Sequence, residues 1–266
     1  MSLPSHIRPF RNALSLGLLL VMAAATAHAA DVSPLRICAE PDSLPMSQQS
    51  SNSGYDIEVA RLLADALGRP LEVKWVSQRD PSYFRATIGA GVCDAIMEVP
   101  EGFGRLTTTA PWYRTGFVFI SRGGDGAPVT SFDDPGLKQL SIGVPATGLG
   151  ETPPAIALTR RSLGDRLRPY SIYDPRTMID AVADKDIDMA VVWGPFGGWW
   201  GGTEKRPLVI KAVPAMDGTM PLTFAMSIGV RKGDEQLKAQ LDQALVERRE
   251  AIAAILTRWR VPLVEN

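Results

Sequence analysis

Three carboxylates, Asp42, Glu98 and Glu151, are the groups in this chain that could form an acid–base pair, and they would have to act without histidine. Both histidines, His6 and His28, fall within the first thirty residues. Once that segment is removed, no Ser-His-Asp or Cys-His arrangement, no histidine base and no histidine-ligated metal site can be built. An enzyme, such as a dehydratase, would rest on those carboxylates alone. The sequence therefore argues for a non-catalytic protein, with no catalytic residue, no metal site and no cofactor of its own.

Cys38 and Cys93 are the two cysteines, and both fall in segments that read as strands. Two buried thiols in a sheet would satisfy that pattern, but an exported chain seldom keeps two stray thiols, which favours a disulfide. Their spacing is far from C-x-x-C, so a redox role is not expected. The other notable side chains are indoles. Asp186 to Trp200 reads DIDMAVVWGPFGGWW, an apolar run from Met189 to Trp193 that breaks into a Gly-Pro stretch carrying Trp199 and Trp200. A run of that length between turn residues reads as a strand buried on both faces. The Gly-rich stretch then reads as a loop at the strand's C-terminal end, where open α/β sheets meet ligands.

The elements that position these residues begin after an export signal. His6, Arg8 and Arg11 precede an apolar stretch from Ala13 to Ala25, and Ala27-His28-Ala29 offers a cleavage site near residues 29–31. Removing residues 1–30 leaves 236, and because Arg8 and Arg11 leave with no acid, the formal charge moves from −1 to −3. No basic footprint for nucleic acid remains, and no later run is long enough to span a membrane. A periplasmic protein is expected.

Leu35 to Ala39 reads as a strand, followed by a Pro, Ser and Asn-rich loop over 40–53. Tyr55, Val59, Leu62, Leu63, Ala66 and Leu67 recur at helical spacing before Gly68. Strands are expected at 71–76 and 93–99, then at 117–121, 140–144, 189–193 and 223–230, with one long closing helix over 235–258. The passage from Met178 to Trp193 echoes the one ending in Val99, with Asp188 matching Asp94. The resulting expectation is an α/β architecture of two lobes, residues 31–121 plus 224–266 and residues 122–223. A double hinge would join them and a cleft would lie between their strand ends.

The segments LRICAE, GYDIEVARLLADALG, TTAPWYRTGFVFISR, SIGVPATG and SIGVRKGDEQLKAQLDQAL resemble the periplasmic solute-binding proteins of family 3, with their type II two-lobed fold. That family clamps an amino-acid ligand with an arginine nine residues before the proline of its F-S-x-P-Y-like motif and with an aspartate after a second-lobe strand. Here those places hold Gly102, with Arg105 three residues off, and Trp193-Gly194-Pro195. A zwitterion buried without both partners would lose several kcal/mol, which argues against an amino-acid receptor. CAEPDSLPMS, GVCDAIMEVP, TPPAIALTRRSL, DIDMAVVWGP and PLTFAMSIGVRKGD resemble a narrower group, the MxaJ/XoxJ-type binding proteins associated with quinoprotein dehydrogenases of methanol oxidation.

That resemblance implies a periplasmic accessory that engages a PQQ-dependent methanol or alcohol dehydrogenase, lanthanide-dependent enzymes included, and supports its maturation or activation. PQQ and metal would belong to the dehydrogenase. The expected cleft is apolar, with walls from Leu44, Pro45 and Met46, from Trp112 and Tyr113, and from Trp193, Pro195, Phe196, Trp199 and Trp200. The alternative is a transport receptor for a small solute other than an amino acid. It would use Thr147, Gly148 and Glu98 as polar contacts in the same cleft.

Overall fold

The computed structural model describes Met1 and residues 33–125, 128–148, 151–202 and 208–264. The export signal expected over residues 1–30 lies, apart from Met1, outside the described residues.

The first half is β1 (Leu35–Ala39), α1 (Tyr55–Ala66), β2 (Leu71–Trp75) and β3 (Ala95–Pro100). Strand β1 runs parallel to both β2 and β3. Helix α1 buries Tyr55, Ile57, Val59, Ala60, Leu63 and Ala64 against this sheet and ends where the spacing predicts. Gly68 takes a left-handed φ of +63°, and the Gly68 and Arg69 N–H groups donate to Asp65 and Ala64 carbonyls that the helix leaves unpaired. At the other end Gly54 lets the chain touch itself. Tyr55 and Asp56 donate their N–H groups to the carbonyls of Pro45 and Met46, and a Cβ on Gly54 would lie 2.1 Å from the Met46 oxygen. The loop 44–47 is thereby pinned to the start of α1.

The second half is β4 (Tyr113–Arg122), β5 (Ile142–Ala146), α2 (Pro153–Thr159), β6 (Leu167–Ser171), α3 (Pro175–Ala183), β7 (Met189–Trp193), α4 (Gly194–Gly201) and β8 (Leu208–Ala212). The chain then returns through β9 (Thr223–Val230) to α5 (Glu235–Glu247) and α6 (Arg249–Arg258). The strand order is β2-β1-β3-β9-β4-β7-β5-β6, with β8 also on β4. Residues 113–116 of β4 pair with β9, whereas 117–121 pair with β7, so one strand belongs to both halves. The fold is α/β and two-lobed, with separate cores around α1, α5 and α6 on one side and around β5 and β7 on the other.

The echo between the halves has a geometric counterpart. Asp94 accepts the N–H of Arg36 at 3.0 Å and Asp188 accepts the N–H of Ser141 at 2.7 Å. In each lobe this carboxylate ties the start of the third strand to the start of the first. Cys38 and Cys93 form a disulfide, with Cα atoms 5.6 Å apart.

Two expectations change. The closing helix is interrupted at Arg248, so that Leu237, Leu241 and Leu245 of α5 and Ile252, Ile255 and Leu256 of α6 all reach one core. The larger correction is the Gly-rich stretch after β7, which is helix α4 and not a loop. Its glycines at 194, 197, 198 and 201 share one helical face. A Cβ would lie 2.5 Å from Gly116 O at Gly194, 2.5 Å from Val118 Cγ2 at Gly197 and 1.9 Å from Arg260 O at Gly198. The glycines let a helix sink against β4 and the C-terminal segment, which outweighs their poor propensity.

Candidate functional site

Between the lobes lies a cavity of about 590 Å³. The first lobe contributes Glu40, Asp42, Leu44, Met46 and Arg79, and the second contributes Tyr173, Asp174, Arg176, Phe196 and Trp200. The lobes touch around it. Trp200 Nε1 donates to the Leu44 carbonyl at 3.2 Å, and the Arg79 guanidinium lies 5.2 Å from the centre of the Tyr173 ring. Arg176 covers the Trp200 ring at 4.7 Å, a cation–π contact within the second lobe. The cleft is therefore not the uniformly apolar mouth that the indoles suggest. Its aromatic surfaces are decked by arginines and interspersed with carboxylates.

A smaller cavity of about 160 Å³, lined by Phe117, Ile172, Met178, Val192, Trp193 and Phe196 among others, is almost wholly apolar. Trp193 is half-buried, with its ring 5.4 Å from Phe117 and 5.9 Å from Phe224. Because α4 is a helix, Phe196 and Trp200 fall on one face, four residues apart, and both line the main cleft. Trp199 points elsewhere. Its ring packs 4.6 Å from Trp259 of the C-terminal segment, outside all these linings. Pro195 is buried in the first turn of α4, and Thr147 and Gly148 are exposed and line none of the cavities described here.

A third cavity of about 70 Å³ opens from the first-lobe side and shares Glu40, Ser43, Met46 and Gln78 with the main cleft. Asp56 and Glu98 also line it. The hydroxyls of Tyr55 and Tyr113 both donate to Glu98 Oε1 and lie 3.1 Å from each other. Trp112 stacks against this cluster, 4.4 Å from Tyr113, and donates its Nε1 to Met97 O at 3.3 Å. Trp112 and Tyr113 thus back the inner cavity and do not wall the cleft, and buried Pro45 lies behind Leu44 and Met46. The Leu44–Pro45 peptide is cis.

Asp56 is 8% exposed, and its Oδ1 is buried with no hydrogen-bond partner. Burial, reinforced by the Glu98 charge, holds the Asp56 carboxyl well above the usual carboxylate range. Burial also raises Glu98, against the opposing hydrogen bonds from Tyr113 and Tyr55. Both groups bind protons more tightly in the folded chain than in the unfolded one. Their contribution to stability is then complete below the ordinary carboxylate range, about pH 4, and is lost as pH rises toward their folded values. An Asp56→Asn variant, neutral throughout, is expected to be more stable than wild type at pH 8 and to depend less on pH between 4.5 and 8. Urea denaturation across that range measures both, and parallel curves for the two proteins would refute the expectation.

Arg105, the residue nearest the family's arginine position, places its guanidinium 5.9 Å from the centre of the Phe84 ring and lines none of these cavities. Asp42 lines the main cleft, Glu98 the inner cavity, and Glu151 neither, so the three carboxylates do not meet in either of these cavities. Among the described residues no group of three or more His, Cys, Asp or Glu is placed to hold a metal ion. Sequence reasoning missed Asp56, Arg79, Tyr173 and Arg176. Of these only Asp56 carried a signal, since an acid at 56 falls on the same stripe as buried Ala60 and Leu63.

The sequence profile of the bacterial extracellular solute-binding proteins, family 3, matches residues 35–262. The chain is 30% identical to Protein MoxJ of Methylorubrum extorquens (strain AM1) over 257 residues, covering 91% of this chain and 85% of that one. The crystal structure of the periplasmic binding protein XoxJ from Methylobacterium extorquens AM1 superposes with a TM-score of 0.73 at 31% identity, over 87% of this chain and all of that one. The crystal structure of MxaJ from Methlophaga aminisulfidivorans MPT has a TM-score of 0.76 at 24% identity, over 86% of this chain and all of that one, and bears on the fold alone. With the profile spanning both lobes and the cleft between them, this chain belongs to the bacterial extracellular solute-binding proteins of family 3.

Proposed function

We propose that this protein is a periplasmic accessory that binds a PQQ-dependent methanol or alcohol dehydrogenase and supports its maturation or activation. Its lobes would be residues 31–121 with 224–266 and residues 122–223. The observation that carries the reading is the absence of an amino-acid clamp from a cleft that is otherwise formed. Arg105 is spent on Phe84, and the end of β7, where the family has its aspartate, carries Trp193, which packs between Phe117 and Phe224. Likeness to MoxJ and XoxJ over both lobes supports the choice of partner. Aromatic and arginine side chains at a cleft mouth, here Tyr173, Trp200, Arg79 and Arg176, are the types that dominate binding energy at interfaces.

The test is retention of the dehydrogenase from periplasmic extract on immobilised protein. Trp200→Ala is expected to weaken retention about tenfold or more, in the range of a modest interface hot spot. Trp199→Ala, whose ring packs on Trp259 away from the cleft, should leave it unchanged. Equal retention by wild type and Trp200→Ala would remove the cleft from the interface, and no retention by wild type would remove the partner.

One observation favours the second reading, a solute receptor: the lobes meet across a cavity of ligand size through Trp200 with Leu44 and Arg79 with Tyr173. That reading requires saturable uptake of a small molecule accompanied by lobe closure.

A further inference from the structure

We propose that the cavity of about 160 Å³ at the ends of β5, β6 and β7 is a binding site for one neutral, single-ring aromatic molecule. Strands β6, β5 and β7 are parallel neighbours, and Pro145, Ser171 and Trp193 stand at or next to their C-terminal ends. That edge of an open α/β sheet is where ligands are met. Phe117 enters from β4 directly opposite Trp193, so the two rings share one face of the sheet. Every lining residue lies within 117–196. The site is therefore complete in the second half of the molecule, and the proposal needs neither a dehydrogenase nor closure of the lobes.

The lining selects the class of ligand. Phe117, Trp193 and Phe196 present three aromatic rings, together with Ile172, Met178 and Val192. Among the described residues the lining holds no charged side chain. Its two hydroxyl groups are engaged inside the protein: Thr152 donates to the Pro145 carbonyl at 2.7 Å, and Ser171 Oγ accepts the Tyr173 N–H at 3.2 Å. An ion would give up its hydration there and find no counter-charge. A neutral aromatic ring avoids that cost and gains edge-to-face contacts with rings such as Phe117 and Trp193, whose planes stand at 73° to each other. The thioether of Met178 is a further favourable neighbour for an aromatic edge.

Volume sets the size. Sites for drug-sized ligands begin at about 300 Å³, whereas an apolar cavity of about 150 Å³ holds a benzene ring. The cavity here, about 160 Å³, takes one ring with a small substituent and no second ring. Ile172, Pro175 and Phe196 line both this cavity and the 590 Å³ cleft, which gives the ring its route from solvent.

The test is titration of the full chain with toluene, read by calorimetry and by the indole N–H resonance of Trp193. N-methylpyridinium, a cation of the same shape, and cyclohexanol, an aliphatic ring of similar size, are the comparison ligands. Toluene is expected to saturate with a dissociation constant of about 1 mM or tighter, to shift the Trp193 resonance, and to bind at least tenfold tighter than N-methylpyridinium and threefold tighter than cyclohexanol. No saturable binding of toluene, or equal binding of N-methylpyridinium, overturns the site, and equal binding of cyclohexanol overturns the aromatic class. Ile172→Trp, which places an indole at the opening shared with the cleft, should weaken toluene binding at least tenfold. Unchanged affinity in that variant, with a melting curve showing it folded, overturns the location. The wild-type comparisons decide the proposal even if the variant does not fold.

Discussion

A Cys38→Ser/Cys93→Ser double variant is expected to melt about 8–16 °C below the oxidised wild type. The two sulfurs join β1 to the residue two positions before β3, across 55 residues that contain the 40–53 loop, α1 and β2. Closing a loop of that length in the unfolded chain removes entropy worth about 4 kcal/mol at 25 °C. For a chain of this size each kcal/mol shifts the midpoint by about 2–4 °C. The bridge also sits in a packed setting, since Cys38 and Cys93 are buried with Tyr83, Ile88, Ile96, Val99 and Leu106. Substituting serine therefore adds two buried hydroxyls to the lost crosslink. Calorimetric scans of wild type and variant measure the effect, and a shift under 2 °C would mean that the crosslink does little for the folded state.

Gly54→Ala is expected to cost about 2–4 kcal/mol and to disable the cleft together with the fold's first lobe. Two costs add at this position. The backbone holds φ +120°, which a residue with a side chain rarely adopts, and the new Cβ would lie 2.1 Å from Met46 O and 2.7 Å from Ser47 Cα. Those are backbone atoms of the pinned loop, so no rotamer change relieves the clash. Either α1 loses its first hydrogen bonds or the loop moves, and the loop carries Leu44 and Met46 into the cleft. The Leu44 carbonyl would then leave Trp200 Nε1. Gly148→Ala is the control, because Gly148 also has positive φ but has nothing within 4 Å of its added Cβ. It should cost about 1 kcal/mol, from backbone strain alone. Urea denaturation compares the two, and equal losses would show that the contact with Met46 is not what matters.

How far the sequence reached depended on whether a feature is local. The strand at Met189–Trp193 was legible because a short unbroken apolar run between turn residues is the pattern of a strand covered on both faces, and Met189 to Val192 are buried. Helix α1 was legible for the same reason, with its spacing and its terminal Gly68 within one short window. The pairing of Cys38 with Cys93 was a preference by compartment, and the fold supplies the 5.6 Å approach that makes it possible. Helix α4 defeated local reasoning. Four glycines in eight residues read as a loop until Gly116 O, Val118 and Arg260 O are seen pressed against them.

The candidate site divides the same way. Trp193, Phe196, Trp200, Leu44 and Met46 were singled out as cleft walls and do line cavities between or beside the lobes. Trp199 carries an equally conspicuous side chain but faces Trp259, because a helix turns by about 100° per residue and a register cannot be read without knowing it is a helix, while Trp112, just before β4, packs on Tyr113. Arg79, Tyr173 and Arg176 gave no signal at all, since their meaning lies in partners from distant parts of the chain.

By itself the sequence determined most of the strands and helices, though not β6, β8 or α4, the confinement of both histidines to the first thirty residues, and the mismatch at both ends of the amino-acid clamp. These follow from residue type and short-range spacing, which the chain carries with it in any conformation. Only the tertiary structure decided that the cleft is charged as well as aromatic and that Asp56 lies buried beside Glu98 with an oxygen unpaired. Burial and electrostatic pairing are properties of neighbours, and neighbours more than fifty residues away along the chain exist only once it has folded.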